Sequence, residues 1–254
     1  MNIVILGSGN VASHIGKGFQ ALGYNIVQVY SRKQANALAL ASILNAQASD
    51  QVAHLHPDAD LYLIAVADQA IAAVAEQMPK PSKGIIVHCS GATDMKVLAR
   101  FEKYGVLYPV QSLRKEMPTD LRSIPFGIEG SQKSVTDHLM CLMQHLSSAC
   151  FLCNSEQRLT LHISAVFVNN FSNALFGIAY RMLEEQNLPF DLLKPIISAT
   201  AQKVQEQRPQ DVQTGPAARG DLDTLKKHSQ FLSKNPDWLD IYQQITEEII
   251  KNRN

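Results

Sequence analysis

Neither sign of charge is in excess in this chain: 23 Lys and Arg stand against 23 Asp and Glu, for a formal net charge of zero. Nucleic-acid binders carry a basic surplus, so no nucleic-acid partner is expected. Runs of like charge are missing too, which removes the usual electrostatic hold on a membrane surface. No stretch approaches the roughly 18 apolar residues of a bilayer span. The opening Met1-Asn2-Ile3-Val4-Ile5-Leu6-Gly7 is too short for a signal-peptide core and has no basic leader. Cysteine is sparse: Cys89, Cys141, Cys150 and Cys153, each among apolar neighbours. These absences lead to the expectation of a cytoplasmic protein with reduced thiols. Hydrophobic residues, by contrast, make up 46% of the 254 positions, enough for one large domain or two modest ones.

The first half alternates short runs dense in Val, Ile and Leu (2–6, 25–30, 59–66, 84–89, 105–108) with segments of helical spacing (11–22, 33–44, 69–78, 94–103). Strands that are apolar throughout, rather than at every second residue, are covered on both faces, as in a parallel sheet between helices. One more strand–helix–strand unit follows at 124–129, 133–146 and 149–153. Then the pattern changes. Residues 155–187 hold no proline or turn cluster and are apolar around the whole helical cylinder, which predicts one long, largely buried helix. Helices at 190–207, 222–234 and 236–251 complete a helical half, with Pro236 marking the last start.

The most specific motif is Gly7-Ser8-Gly9-Asn10-Val11-Ala12, a G-x-G-x-x-A fingerprint directly after a strand and at the opening of a helix. Gly7 permits the tight turn, Gly9 lets the backbone approach a pyrophosphate, and Ala12 keeps the helix against the sheet; Ser8, Asn10 and Val11 complete the turn. The phosphates would rest on free N–H groups at the positive end of the helix. The plainer alternative is a glycine turn that merely joins strand to helix. NAD sites place Asp or Glu about 20 residues on, to hold the ribose 2′-hydroxyl. Here the second strand ends Val29-Tyr30-Ser31-Arg32-Lys33, without an acid. A carboxylate would repel a 2′-phosphate, whereas Ser31 can donate a hydrogen bond and Arg32 a charge-assisted pair. The expected cofactor is therefore NADP. The same missing acid counts against S-adenosylmethionine and FAD. The expected fold class is α/β: a doubly wound parallel Rossmann sheet over residues 1–154, with a second, all-helical domain over 155–254.

Several segments occur in a familiar order: the fingerprint, then Ala65-Val66-Ala67-Asp68-Gln69-Ala70-Ile71, His88-Cys89-Ser90-Gly91-Ala92, Tyr108-Pro109-Val110-Gln111-Ser112 and Gly215-Pro216-Ala217-Ala218-Arg219-Gly220-Asp221. Together they resemble a bacterial family assigned as NADP oxidoreductases, in which a Rossmann-like domain is fused to a helical domain of unknown function. The family is labelled after deazaflavin-dependent enzymes. More distantly the layout is similar to 6-phosphogluconate dehydrogenases, pyrroline-carboxylate reductases and ketopantoate reductases. The resemblance implies hydride transfer at the domain cleft and a homodimer formed through the helical half. It also implies that the loop around Arg219 faces that cleft. One departure is plain: those distant relatives set Lys and Asn on the helix facing nicotinamide, where this chain has His162 and Val166.

A nicotinamide enzyme needs, besides its cofactor, a positioned substrate and a group that handles one proton. In doubly wound folds the site lies beyond the carboxyl ends of the strands, which selects 66–68, 88–91 and 108–112. The backbone of Val66 and Ala67 is expected to line the cofactor, with Asp68 as N-cap of a helix beginning at Gln69. His88 and Ser90 sit where nicotinamide or substrate would lie; alternatively Ser90 caps the next helix and His88 ends a buried strand. Gln111 and Ser112 are candidates to orient substrate, although a loop beside Pro109 carries polar residues in any case. On the long helix, at 100° per residue, His162, Asn169 and Asn173 fall within a stripe about 40° wide. Polar groups on a buried helix need partners, supplied either by a ligand pocket or by a helix-to-helix network. His88, Ser90, His162 and Asn169 are thus the candidates to polarise or protonate a small-molecule substrate. Gln111, Ser112, Asn173 and Arg219 are the candidates to bind it, with Asp221 equally natural as an N-cap beside a solvated Arg219.

Cys150-Phe151-Leu152-Cys153 is a CxxC in an extended run, where its thiols point to opposite faces, so it reads as structural. His138, Cys141 and His145 share one side of a helix but lack a carboxylate, and no metal is expected. Two function classes remain. One is an NADP-dependent oxidoreductase that moves a hydride between NADPH and a small carbonyl or imine. The other is a non-catalytic sensor that binds NADPH without turnover. A deazaflavin-dependent reaction rests on the family label alone.

Overall fold

A computed structural model describes residues 1–252. The Val/Ile/Leu runs become β1 (Asn2–Leu6), β2 (Asn25–Tyr30), β4 (Leu61–Ile64), β5 (Ile85–His88), β6 (Tyr104–Pro109), β7 (Phe126–Gly130) and β8 (Cys150–Leu152), joined by a short β3 (Gln47–Ser49) that the sequence pattern does not reveal. Between them run α1 (Asn10–Ala21), α2 (Gln34–Leu44), α3 (Asp68–Gln77) and α4 (Lys133–Gln144). The eight strands form one sheet in the order β3-β2-β1-β4-β5-β6-β7-β8, with its reversal between β1 and β4. This is a Rossmann-like, parallel-dominated sheet.

Alternation along β1 explains why its residues are apolar without a break. Ile3 and Ile5 join Phe19 of α1, Leu40 and Leu44 of α2 and Leu139 of α4 on one face. Val4 and Leu6 join Ile71 and Val74 of α3 with Leu98 and Phe101 on the other. Both faces are covered, so neither tolerates polar side chains.

Two expectations need correction. The sheet is not wholly parallel, because β7 runs antiparallel to β6. The segment between them carries only a 3-10 turn (Leu121–Ser123), and a parallel return needs a full crossover unit. The helix expected at 94–103 is instead a 3-10 turn, Met95–Leu98, whose Asp94 accepts from the Lys96 amide at 2.7 Å. Leu98 and Phe101, three apart and both buried, suit the threefold winding.

The second half opens with α5 (Ser155–Ala165), a π-helical turn (Val166–Phe171) and α6 (Ser172–Glu184). It continues through a 3-10 turn (Phe190–Leu193), α7 (Lys194–Glu206), a four-residue α8 (Pro216–Arg219), α9 (Leu222–Leu232) and α10 (Pro236–Lys251). The sequence sets the domain boundary at 154/155; by compactness the chain divides into Met1–Asn170 and Phe171–Asn254, so α5 goes with the first unit. Within the second unit, α6, α8, α9 and α10 surround an apolar cavity of about 460 Å³ lined by Leu175, Met182, Phe231, Trp238, Tyr242 and Ile245 among others. His228 Nδ1 and Tyr242 Oη are hydrogen-bonded at 2.8 Å at its wall.

The long helix is not buried as its composition predicts. Phe167, Val168, Phe171 and Tyr180 are 49% to 76% exposed. Among the described residues no helix is long and apolar enough to cross a membrane.

Candidate active site

Gly7 ends β1 with φ +125°, a conformation that L side chains avoid, and a Cβ there would lie 2.2 Å from the Ala65 carbonyl oxygen. Glycine is required on both counts. Gly9 is the N-cap of α1, with no side-chain cap and no acid in the first turn. A Cβ on Gly9 would meet nothing within 4 Å, so the space in front of the first α1 amides is open. Ala12 is fully buried, as close helix–sheet packing requires. Open space, bare amides and the positive end of a helix fit a pyrophosphate.

The end of β2 fits the rest of an NADP molecule. Ser8 Oγ and Ser31 Oγ are 3.1 Å apart, so the glycine turn and β2 meet through their hydroxyls. The Ser31 amide donates to the Ser49 carbonyl at 3.0 Å, which shows what the unforeseen β3 is for. Arg32 and Lys33 are exposed beside this pair. α2 starts after Lys33 with no side-chain cap and no acid in its first turn, a second bare N-terminus at the same edge. Lys33 thus joins Arg32 as a cation that sequence reasoning did not single out.

Asn10 does more than line the turn. Its Oδ1 accepts from the Lys115 amide at 3.2 Å, and His14 Nε2, one helical turn on, lies 3.2 Å from the Met117 carbonyl. The loop after β6 is strapped to the start of α1. Val66 is half-buried and Ala67 exposed, the latter as N-cap of α3. Asp68 is therefore not the N-cap expected but the first helical residue, with no side-chain capping bond. The chain turns into α3 one residue earlier than its polar pattern suggests, and the carboxylate lies instead at the favourable end of the helix dipole.

The rim of β5 and β6 brings several expected residues together with others that were missed. His88 is 0% exposed; its Nδ1 accepts from the Ser90 amide at 3.2 Å, and its Nε2 has no partner. Burial pushes its pKa down to about 4, helped by the Arg158 charge and opposed by the Asp94 carbonyl and carboxylate. Ser90 Oγ accepts from the amides of Ala92 and Thr93 at 3.1 and 3.0 Å, a turn cap. Tyr108, 7% exposed, has its hydroxyl 3.2 Å from His162 Nδ1, with the rings edge-on at 74°. A Cβ on Gly91 would come within 2.6 Å of His162 Nδ1 and 2.8 Å of Tyr108 Cε2, so glycine makes room for both rings.

Beneath them lies Arg158, 1% exposed and ion-paired to Glu129. Arg158 also donates to the Thr93 carbonyl at 2.6 Å and to Ser155 Oγ at 3.1 Å. Ser155 in turn donates to Glu129 through its amide and hydroxyl at 3.0 and 3.1 Å. Asn154 and Gln157 close a capping box around the same turn. Sequence reasoning missed Glu129 and Arg158, and placed Tyr108 at the strand ends without giving it a role. The available signal was an arginine one helical turn before His162, at the start of a segment expected to be largely buried.

The remaining candidates do not gather here. The expected stripe of His162, Asn169 and Asn173 assumes a uniform 100° per residue, but the π turn at Val166–Phe171 is wider and shifts the phase. Asn169 is exposed, with its amide 3.4 Å from Asn170 Oδ1. Asn173 belongs to the second compact unit and is exposed. Gln111 and Ser112 are exposed and bond locally, the Ser112 amide to Gln111 Oε1 at 2.9 Å. Arg219 is exposed on α8, while Asp221 caps α9 by accepting from the Thr224 amide at 3.0 Å. Cys150 and Cys153 have thiols that burial pushes up, the opposite of a redox-active pair.

The chain matches two family models: "NADP oxidoreductase coenzyme F420-dependent" over residues 2–90 and a domain of unknown function, DUF2520, over residues 124–249. Among curated proteins nothing matches. Among solved structures it is similar to one provisionally assigned as an NADP oxidoreductase, BF3122 from Bacteroides fragilis, at 34% identity over 98% of each chain with TM-score 0.88. At fold level it is similar to a reductive aminase from Aspergillus terreus solved with NADPH and ethyl-5-oxohexanoate, at 14% identity over 98% and 93% of the chains with TM-score 0.74. The 1-pyrroline-5-carboxylate reductase of Streptococcus pyogenes is likewise similar, at 15% identity over 99% and 98% with TM-score 0.65.

Two outcomes follow from the buried charges. His88 is neutral in the fold down to about pH 4 but titrates near 6.5 when unfolded, so between these values the unfolded chain binds the extra proton. Stability should fall as pH drops through that window and level off below it, by on the order of 3 kcal/mol. Urea melts of His88→Gln across the window should show a flatter pH profile; an unchanged slope would contradict the neutral buried ring. Replacing Arg158 by Ala leaves Glu129 without its cation and should lower stability by about 3–5 kcal/mol. The double change Arg158→Met with Glu129→Leu should recover most of that loss in the same melts.

Proposed function

From its membership of the NADP oxidoreductase family, in which a Rossmann-like domain precedes a DUF2520 domain, we propose that this chain is an NADPH-dependent reductase of a small carbonyl or imine compound. The observation that carries the cofactor choice is the end of β2: two hydroxyls, Arg32, Lys33 and an uncapped helix start, with no carboxylate on the end of β2 or in the first turn of α2. A ribose 2′-phosphate is an anion that this set can pair and a 2′-hydroxyl leaves unused. Bound NADPH supplies the hydride. The chain's own work is to seat the pyrophosphate on Gly7–Ala12, shape the rim and manage one proton.

For that proton, His162 stands at the rim, partly exposed, and Ser90 keeps a hydroxyl proton to donate while its oxygen caps the turn. His88 acts from below, as a neutral support that adds no charge to the floor. Asn169, Gln111, Ser112, Asn173 and Arg219 are solvent-accessible polar groups available to a substrate. Imine or carbonyl chemistry is supported by the folds that this chain is similar to, whose names carry pyrroline-carboxylate reductase and reductive aminase. We further propose a homodimer. The support is the uncovered apolar surface: Leu192, Ile196, Leu222 and Phe231 are 53% to 72% exposed, and surfaces of this kind mark protein interfaces.

The test of function is oxidation of NADPH and NADH in parallel with 1-pyrroline-5-carboxylate, ethyl 5-oxohexanoate and a deazaflavin as acceptors. NADPH should be preferred, and Arg32→Glu should lower its kcat/KM about tenfold or more while sparing NADH. Turnover with NADH alone would overturn the cofactor assignment, and tight NADPH binding without turnover of any acceptor would favour the sensor. Sedimentation should give a dimer that Ile196→Asp converts to a monomer; a wild type that stays monomeric removes the dimer proposal.

A further inference from the structure

The rim contains a hydroxyl that the family match does not assign. Tyr108 lies near the end of β6, one residue before Pro109, and its side chain is almost wholly buried, in contact with Gly91 and His162. Three segments of the first compact unit converge there: the loop after β5, the end of β6, and α5. Each is held independently. The loop after β5 is capped by Ser90, β6 is paired on both sides, and α5 is fixed at its start by Arg158 and Glu129. A glycine at 91 is the condition for both rings to fit. The result is a preorganised donor–acceptor pair at the carboxyl edge of the sheet, where a doubly wound fold presents its ligand.

We infer that Tyr108 is the acid that protonates the substrate, with His162 as the positioning residue that restores its proton. The inference rests on the reductase reading above. Hydride adds to the carbonyl or imine carbon, and the C=O or C=N π pair moves onto oxygen or nitrogen. That atom takes the proton from Tyr108 Oη. His162, with a proton on Nδ1, returns it to the phenolate oxygen across the 3.2 Å contact and is recharged from solvent, to which the residue is partly exposed. The oxidised nicotinamide and the protonated product balance the step.

The charges around the phenol suit an acid that stays protonated until it is needed. Burial, Asp68 and Cys153 raise its pKa, and only the Arg158 cation opposes them. A neutral hydroxyl is therefore the resting state. His162 alone would serve less well, because its Nδ1 is directed at the phenol rather than at the space in front of it.

The test has two arms. In the first, protein labelled at Tyr 13Cζ and His 15N is titrated with NADP+, with Tyr108 assigned by Tyr108→Phe and His162 by His162→Gln. Both resonances should move in proportion to cofactor binding measured by calorimetry. If cofactor binds and both stay fixed, the pair lies outside the site and the inference is wrong. In the second, Tyr108→Phe should leave NADPH affinity intact while lowering kcat on any acceptor that the wild type turns over by about 100-fold or more, the contribution expected of a positioned acid. His162→Gln should lower kcat less and shift the pH profile, which a purely structural role would not do. A Tyr108→Phe enzyme within about threefold of wild type sinks the inference and leaves the reductase reading standing, since that ratio is far below a general-acid effect. A wild type that binds NADPH but reduces none of the acceptors sinks the reductase reading and this inference with it.

Discussion

A guanidinium shut away from water at the foot of α5 fixes the arrangement of this end of the sheet. Burying a charge is expensive unless it is paired and fully hydrogen-bonded. Arg158 meets most of that condition through Glu129 of β7, the Thr93 carbonyl and the Ser155 hydroxyl, and only its Nε is left without a partner among its side-chain nitrogens. Those partners come from three different parts of the chain, so satisfying one charge locks three elements together. The helix that leaves this anchor carries His162 one turn later, against Gly91 and Tyr108. The same charge helps keep His88 neutral. The electrostatics of the rim are thus set by a charge buried beneath it.

At the ends of β1 and β2, along the same carboxyl edge, the logic is reversed. α1 and α2 both begin without a side-chain cap and without an acid in the first turn. In an ordinary helix those free amides would be a defect; beside a glycine turn and two facing serines they form a cradle for anions. The sheet topology makes this possible, because the order reverses next to β1 and leaves a crevice at its carboxyl end. The rim and the glycine turn therefore rest on separate electrostatic devices, a buried ion pair and a row of uncapped peptide dipoles.

Much of this was legible in the residues. β1, β2, α1 and α10 lie where the periodicity puts them, within a residue, because both faces of the sheet and one face of each helix impose strict patterns. The fingerprint was readable because its glycines answer to backbone geometry alone. What escaped depends on contacts between distant segments. β3 has three residues and no apolar signature, and it exists because β2 offers it an edge. The antiparallel β7 follows from a connection without a helix. The π turn, which breaks the polar stripe, leaves no mark on a pattern read at constant pitch. Arg158 looked like any surface arginine until Glu129, 29 residues earlier, was seen beside it.

The split between exposed side chains and fixed dipoles at the adenosine end has a consequence for ionic strength. Arg32 and Lys33 stand in solvent, where salt screens charge over a Debye length of about 8 Å at physiological concentration. The α1 amides would meet a pyrophosphate at hydrogen-bond range, where screening is weak. On the proposed reading, raising salt erodes the discrimination between phosphorylated and plain dinucleotide faster than it erodes dinucleotide retention itself. Selectivity would then be a property of dilute electrolyte, and grip a property of the peptide backbone.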